Sequence, residues 1–313
     1  MTAEAPHHAP ATTRLGVGLN PAEGIVSTGL PVLHGLPVES FFGDATGIGQ
    51  AGPFRLSRTA DWLLGVASVA PVAGEGFEPT AWRLYESLFA AVRGWKLARI
   101  WNYVPAINEP DVDGLERYRA FSRGRSLAFE REFGPGFRAA IPAASAVGTD
   151  GTALTVVFAA ASRAVRHVEN PLQLPAYEYP PEHGPRPPSF ARATVVPATN
   201  DRADVFISGT AAIRGHATVA PDATLPQLAC TLENLREISA ACGIGTDLAH
   251  GRAEARHFKV YLRHAADLPA ARAVLERELL KPEDNVSYLR SDICRRELNV
   301  EIEATLLGAA TVA

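Results

Sequence analysis

The chain has 313 residues, 47% of them hydrophobic and 20% charged, with a net charge of -4 at pH 7, the composition of a soluble globular protein long enough for one large or two ordinary domains. That charge leaves no basic footprint for nucleic acid or an anionic membrane, and the longest apolar stretch, Trp62 to Ala73, is too short to cross a bilayer. Three cysteines, Cys230, Cys242 and Cys294, are an odd number spread over a sizeable chain, which fits a reducing cytoplasm rather than a secreted disulfide framework.

In chain order, Met1 to Thr13 is rich in Ala, Pro and His without a basic start followed by an apolar run, so residues 1–20 read as a loose tail rather than a signal peptide. Gly47-Ile48-Gly49-Gln50-Ala51-Gly52 matches the dinucleotide fingerprint, but Pro53 and the strand-like run after it deny the helix that would hold a pyrophosphate. It reads as a loop, and no nicotinamide cofactor is expected. Arg55 to Ala73 reads as a strand or hairpin, Pro79 to Trp95 as a helix with Leu84, Leu88, Val92 and Trp95 on one face, and Leu97 to Val104 as a strand. A helix over Gly114 to Phe133 and strands near Ala139 to Val147 and Ala153 to Ala161 follow. The second half repeats this order: strand Asp204 to His216, helix Leu225 to Cys242, strand His257 to His264, helix Leu268 to Leu280, then strands Val286 to Ile293 and Glu297 to Leu306. The repetition predicts an α/β (α+β) protein of two tandem units: 21–168, a connecting segment 169–195, and 196–313.

Prolines crowd the connecting segment, which makes it extended and poor in ladder hydrogen bonds. Plain linkers are Gly/Ser or charge rich, whereas this one carries Tyr177, Tyr179, Phe190, Arg186 and Arg192; a site-lining segment and a rigid spacer both fit. Phe206 to Ala211 ends a strand in small residues, suiting close approach of a ligand or tight strand packing. The histidines show no metal-ligand spacing, and neither a nucleophile elbow nor a phosphate loop is present, so no metal is expected. Of the 30 basic residues only Lys96, Lys259 and Lys281 are lysines; codon bias in a GC-rich genome accounts for most of such an excess, while arginine also grips planar carboxylates in a way lysine cannot, which suits a doubly anionic small substrate. In the last strand Leu298, Val300 and Ile302 alternate with Glu297, Asn299, Glu301 and Glu303. The acidic face is either the wet side of a half-buried sheet or the holder of an acid.

Taken together, Ile-Trp-Asn-Tyr-Val-Pro-Ala-Ile-Asn (100–108), Tyr-Arg-Ala-Phe-Ser-Arg-Gly-Arg (118–125), the Pro/Tyr segment 170–192, Ile-Ser-Gly-Thr-Ala (207–211) and the run from Cys294 to Glu303 resemble the chorismatase family, from about residue 30 to the C-terminus. The resemblance implies two RidA/YjgF-like units, each a sheet backed by two helices, forming an internal cleft that needs no partner subunit, hence a monomer. It implies chorismate as substrate, with no cofactor, nucleic acid or membrane partner. The first glutamate of Val-Glu-Ile-Glu-Ala, Glu301, becomes the acid that protonates the enolpyruvyl group, a step worth about 10² to 10⁴ in rate, and must keep its proton at neutral pH. Arg192 with Arg125 or Arg119 would clamp the carboxylates, Tyr179 or Tyr177 and Asn102 or Tyr103 would bond the ring substituents, and Gly209, Thr210 and Ala211 would border the substrate. Cys294, seven residues before Glu301, implies the 3-hydroxybenzoate-forming branch, whereas an Ala near 211 or 212 departs from a pure member of it. Hydrolysis to a dihydroxycyclohexadiene carboxylate is the runner-up, and a RidA-like imine deaminase or an aromatic-acid binder is the alternative of another class.

Overall fold

The computed structural model describes residues 13–16, 25–42, 45–198 and 201–312. After β1 (Val32–Gly35) the chain forms β2 (Thr46–Ala51), β3 (Phe54–Arg58), β4 (Trp62–Val69), α1 (Phe77–Ala91), β5 (Lys96–Pro105), α2 (Arg117–Phe133), β6 (Ala143–Thr149) and β7 (Leu154–Ala161). Then come β8 (Arg166–Val168), β9 (Ala193–Pro197), β10 (Arg202–Ala211), α3 (Thr224–Ala241), β11 (Ala255–Leu262), α4 (Leu268–Glu278), β12 (Asn285–Arg290) and β13 (Val300–Ala310). One sheet has the order β2-β3-β4-β7-β5-β6, the other β8-β9-β10-β13-β11-β12-β1. Apart from β1 the two orders are the same, and the parallel pair falls at the same place in each, β5 with β6 and β11 with β12. The duplicated α/β unit expected from the element order is therefore present at the level of strand pairing.

Each sheet buries one face under its own two helices and turns the other toward its twin. Leu63, Ile100, Val156 and Phe158 pack under α1 and α2. In the second unit Val205, Phe258, Val260, Ile302 and Leu306 pack under α3 and α4. Trp62, Trp101 and Val157 from one inner face meet Phe206, Tyr261 and Leu289 from the other, so the strands are covered on both faces. Helix α1 forms because Phe77, Ala81, Leu84, Tyr85 and Leu88 recur on one face, and its first N–H is taken by the Asp111 carboxylate at 2.6 Å, favourable at the positive end of the helix dipole. Helix α2 lies close along α1 because residue 124 is glycine: a Cβ there would stand 2.1 Å from the Glu78 carbonyl oxygen. That contact fixes the next residue, Arg125, in a buried position.

Several expectations are corrected. The 47–52 glycine run is not a loop: Gly47 to Ala51 belong to β2, and Gly52, at φ +56, makes the turn into β3. The strand placed over Asp204 to His216 stops at Ala211. The last strand begins at Val300, because a turn closed by the Leu298 N–H on the Arg295 carbonyl (3.1 Å) precedes it. β1 and β8, on the first unit's side in chain order, are strands of the second sheet. The tail expected over 1–20 lies outside the described residues except Thr13–Gly16, which pairs with Ile25–Ser27 and Val38–Phe42. Among the described residues no helix is long and apolar enough to cross a membrane.

Candidate active site

Glu301 is the second residue of β13, opposite Ala211 of β10 on one side and Tyr261 of β11 on the other. Its strand neighbours Val300 and Ile302 point into the helix-covered core, so period-2 alternation turns Glu301 and Glu303 toward the other sheet. The wet-face reading is thereby overturned: each of the two glutamates is only 3% exposed. The register of β10 against β13 shifts between Ile207 and Thr210, a bulge of the kind that re-aims side chains beside sites. Gly209 stands in it, and a Cβ there would lie 2.0 Å from Glu301 Oε1; only glycine lets the carboxyl lie flat against this backbone.

The two glutamates differ in their partners. Glu303 is ion-paired to Arg99 and to Lys259, each at 2.7 Å, and accepts hydrogen bonds from Trp101 Nε1 at 2.8 Å and from the Ser145 hydroxyl. Burial alone would raise its pKa, but Lys259, Arg99 and these hydrogen bonds carry it down to about 2. Glu301 has no hydrogen bond or ion pair among the described residues. Burial, and then the negative charge of Glu303, outweigh Arg99 and Arg192 and push it up to about 8. It is a protonated acid at neutral pH, produced by desolvation and a like charge.

Glu301 opens into a small inner compartment bounded by Arg125, Arg192, Ser145, Gly209 and Ala211. Tyr118, Phe190, Ile213 and Cys294 are walls shared with an outer compartment reached past Arg119, Tyr179 and Arg295. Arg125 is 1% exposed, lies over the Phe121 ring at 5.0 Å, and has all three guanidinium nitrogens without a hydrogen bond of normal geometry among the described residues. Arg192, 3% exposed, donates to the Leu174 carbonyl at 3.0 Å and the Tyr179 hydroxyl at 2.7 Å, lies over the Phe190 ring, and leaves Nε unused. Two buried cations with unmet N–H groups beside a neutral acid call for an anionic ligand, since an uncompensated buried charge is costly. Burial, with the nearby Glu301 charge, pushes the Cys294 thiol up to about 12. It is neutral in the cleft wall and no nucleophile at neutral pH.

The inner compartment thus brings together Glu301, Cys294, Arg192, Arg125, Gly209 and Ala211, and the outer one holds Arg119 and Tyr179. The other expected residues line neither. Asn102 is spent in the core, donating to the Ser145 carbonyl at 2.8 Å and accepting from the Tyr85 hydroxyl at 2.7 Å. Tyr103 is buried between the sheets, Thr210 donates to the Ser208 carbonyl inside the bulge, and Tyr177 packs on the first unit's core with Arg138 over its ring. Sequence reasoning missed Ser145, Ile213, Arg295 and Lys259. The last had a signal, as one of three lysines in the chain and standing among apolar residues in a strand. At the mouth, Glu182, His183 and His216 bring donor atoms within 4.8 Å of one another, with the two imidazoles hydrogen-bonded at 3.0 Å; the trio joins two distant segments, so spacing could not disclose it.

Residues 41–160 match the family model described as chorismatase FkbO/Hyg5-like, N-terminal. A protein named chorismatase from Streptomyces rapamycinicus is 40% identical over 259 residues, covering 80% of this chain and 76% of that one. A 3-hydroxybenzoate synthase from Streptomyces hygroscopicus is 38% identical over 219 residues, covering 67% and 63%. A crystal structure of a chorismatase superimposes with a TM-score of 0.77 at 31% identity, over 97% of this chain and 96% of that chain.

Proposed function

The chain belongs to the chorismatase family, and on that footing we propose that it cleaves chorismate to pyruvate and 3-hydroxybenzoate with Glu301 as the general acid. Chorismate is an enolpyruvyl ether carrying two carboxylates. Protonating its enol methylene gives an oxocarbenium ion, and the acid must hold its proton until substrate is bound. The observation that carries the reading is the pairing of a buried protonated acid with two buried guanidinium groups that form no ion pair among the described residues. A dicarboxylate supplies such partners, and bidentate guanidinium contacts orient it. Loss of pyruvate and aromatisation by loss of the ring hydroxyl require no net water. Cys294, neutral and in the cleft wall, stands at the position that the family's 3-hydroxybenzoate branch gives to cysteine. Both sheets that wall the cleft belong to one chain, which supports a monomer as the working form.

A second product is favoured by one feature: Ala211 places a methyl group in the inner compartment, which suits hydrolysis to the dihydroxycyclohexadiene carboxylate. Incubation with chorismate tests both readings. Pyruvate release, followed by reduction to lactate, is the expected result, and its absence would refute chorismate cleavage. Chromatography of the second product then assigns the branch.

A further inference from the structure

Glu303 lines neither compartment, yet four side chains from both sheets converge on it: Arg99, Trp101, Ser145 and Lys259. The contacts do not end there. Ser145 Oγ also accepts the Gly209 N–H at 3.0 Å, and Gly209 is the residue against which the Glu301 carboxyl lies. A hydrogen-bonded path therefore runs from Glu303 through Ser145 to Gly209, whose backbone lies against the Glu301 carboxyl. The two carboxylates also share one face of β13, about 6.6 Å apart along the strand.

We propose that Glu303 is a positioning residue for the reaction: through Ser145 and Gly209 it fixes the Glu301 carboxyl, and its own anchored charge keeps the Glu301 proton in place until substrate arrives. The charges around Glu301 support this. Arg99 comes from β5, Arg192 from the proline-rich segment, Lys259 from β11 and Arg125 from α2; Cys294 and Tyr118 are neutral. Among these charged groups only Glu303 is negative. Without it, burial alone holds the Glu301 proton against the cations, and the acid ionises at lower pH. A purely structural ion knot would hold the sheets together without any bearing on where activity falls with pH.

The inference rests on Glu301 being the acid, so the decisive readout is the pH profile of chorismate cleavage. For an acid that must be protonated, rate falls as pH rises through its pKa. E303Q should move this descending limb to lower pH by about one unit or more, with KM little changed. E303D keeps the charge and should restore the limb at a reduced kcat. S145A keeps the charge but cuts the path, and should lower kcat about tenfold with the limb unmoved. An E303Q enzyme weakened equally at every pH, or an E303D enzyme behaving like E303Q, would overturn the proposal. If E303Q fails to fold, K259M/E303Q removes one charge of each sign and should move the limb in the same direction by less, because Glu303 acts on Glu301 more strongly than Lys259 does. Isotope-edited infrared titration of the Glu301 carboxyl, identified by its loss in E301Q, needs no chorismate. The protonated band should persist at neutral pH in the wild type and disappear at lower pH in the Glu303 variant; unchanged titration would also overturn the proposal. A wild type that releases no pyruvate would refute the substrate assignment alone, with the infrared result still deciding the role of Glu303.

Discussion

A carboxyl group surrounded by guanidinium and ammonium groups ordinarily ionises, and Glu303 does so, whereas Glu301, two positions along the same strand, does not. Glu301's raised pKa has a thermodynamic cost with a definite sign. Its value stands at about 8 when folded against 4.5 as a free group, so the folded chain holds a proton the unfolded chain releases, and stability is lost as pH rises through that window. E301Q should therefore abolish pyruvate release yet melt higher than the wild type at pH 8, by on the order of 4 kcal/mol at full extent, with no difference near pH 4. A melting difference independent of pH would mean that Glu301 ionises in the folded state. R125M removes a buried cation that awaits an anion, and KM for chorismate should rise at least about 30-fold, read from steady-state pyruvate release. C294V should shift the product toward the diene diol, because a neutral thiol in the cleft wall is replaced by an inert branch; an unchanged product ratio on chromatography would remove that role. The alternation of Leu298, Val300 and Ile302 disclosed which face Glu301 occupies, but both glutamates share it. What tells them apart lies on β5, β6 and β11, far away in sequence.

Among the elements, the β10 bulge and the proline-rich segment do most to shape the cleft. G209A would drive a methyl group into the Glu301 carboxyl, which can yield only by swinging away from this backbone into the inner compartment. We expect a loss of kcat of about 10² and of stability of about 1–3 kcal/mol, measured by pyruvate release and thermal denaturation. Normal turnover in G209A would mean that the carboxyl works from another position. The segment after β8 gains its order from contacts with the units it joins: the Asn170 side-chain amide donates to the Asn234 carbonyl at 2.9 Å, and Arg192 donates back to the Leu174 carbonyl. Its aromatics and arginines marked it in the sequence as more than a spacer. Which of them face the cleft was not legible, because a proline-rich stretch has no fixed period: Tyr179 and Arg192 do, and Tyr177 does not. Element order was legible from periodicity; element ends were not, since β10 stops at a bulge and β13 starts after a turn closed by tertiary contacts.

At the scale of the molecule, two copies of one topology face each other across a layer that carries both large aromatics and the buried ion pairs. Trp101 contributes to both kinds of contact: it packs edge-on to Phe206 and donates to Glu303. The equivalent outer strands, β6 and β12, are treated differently. β12 is laddered by β1 from upstream of both repeats. Among the described residues β6 has no strand partner on that side; it is met instead by a bridge from Ala143 to Ala191, by the Thr194 and Ser208 hydroxyls, which accept the N–H groups of Ala143 and Ala144, and by the Asp292 carbonyl, which accepts the Gly148 N–H at 2.7 Å. Deleting residues 1–36 should expose the β12 edge and promote self-association, visible as concentration-dependent elution on size exclusion; elution unchanged from that of the intact chain would show that the edge is protected by other means. Duplication supplies two equivalent outer strands: one is closed by backbone, and the other carries Ser145 into the cleft beside Glu301. A ladder of amides can be laid over a strand of almost any sequence, so the edge closed by β1 asks little of its side chains, whereas the cleft beside β6 works only with its particular glutamates and arginines.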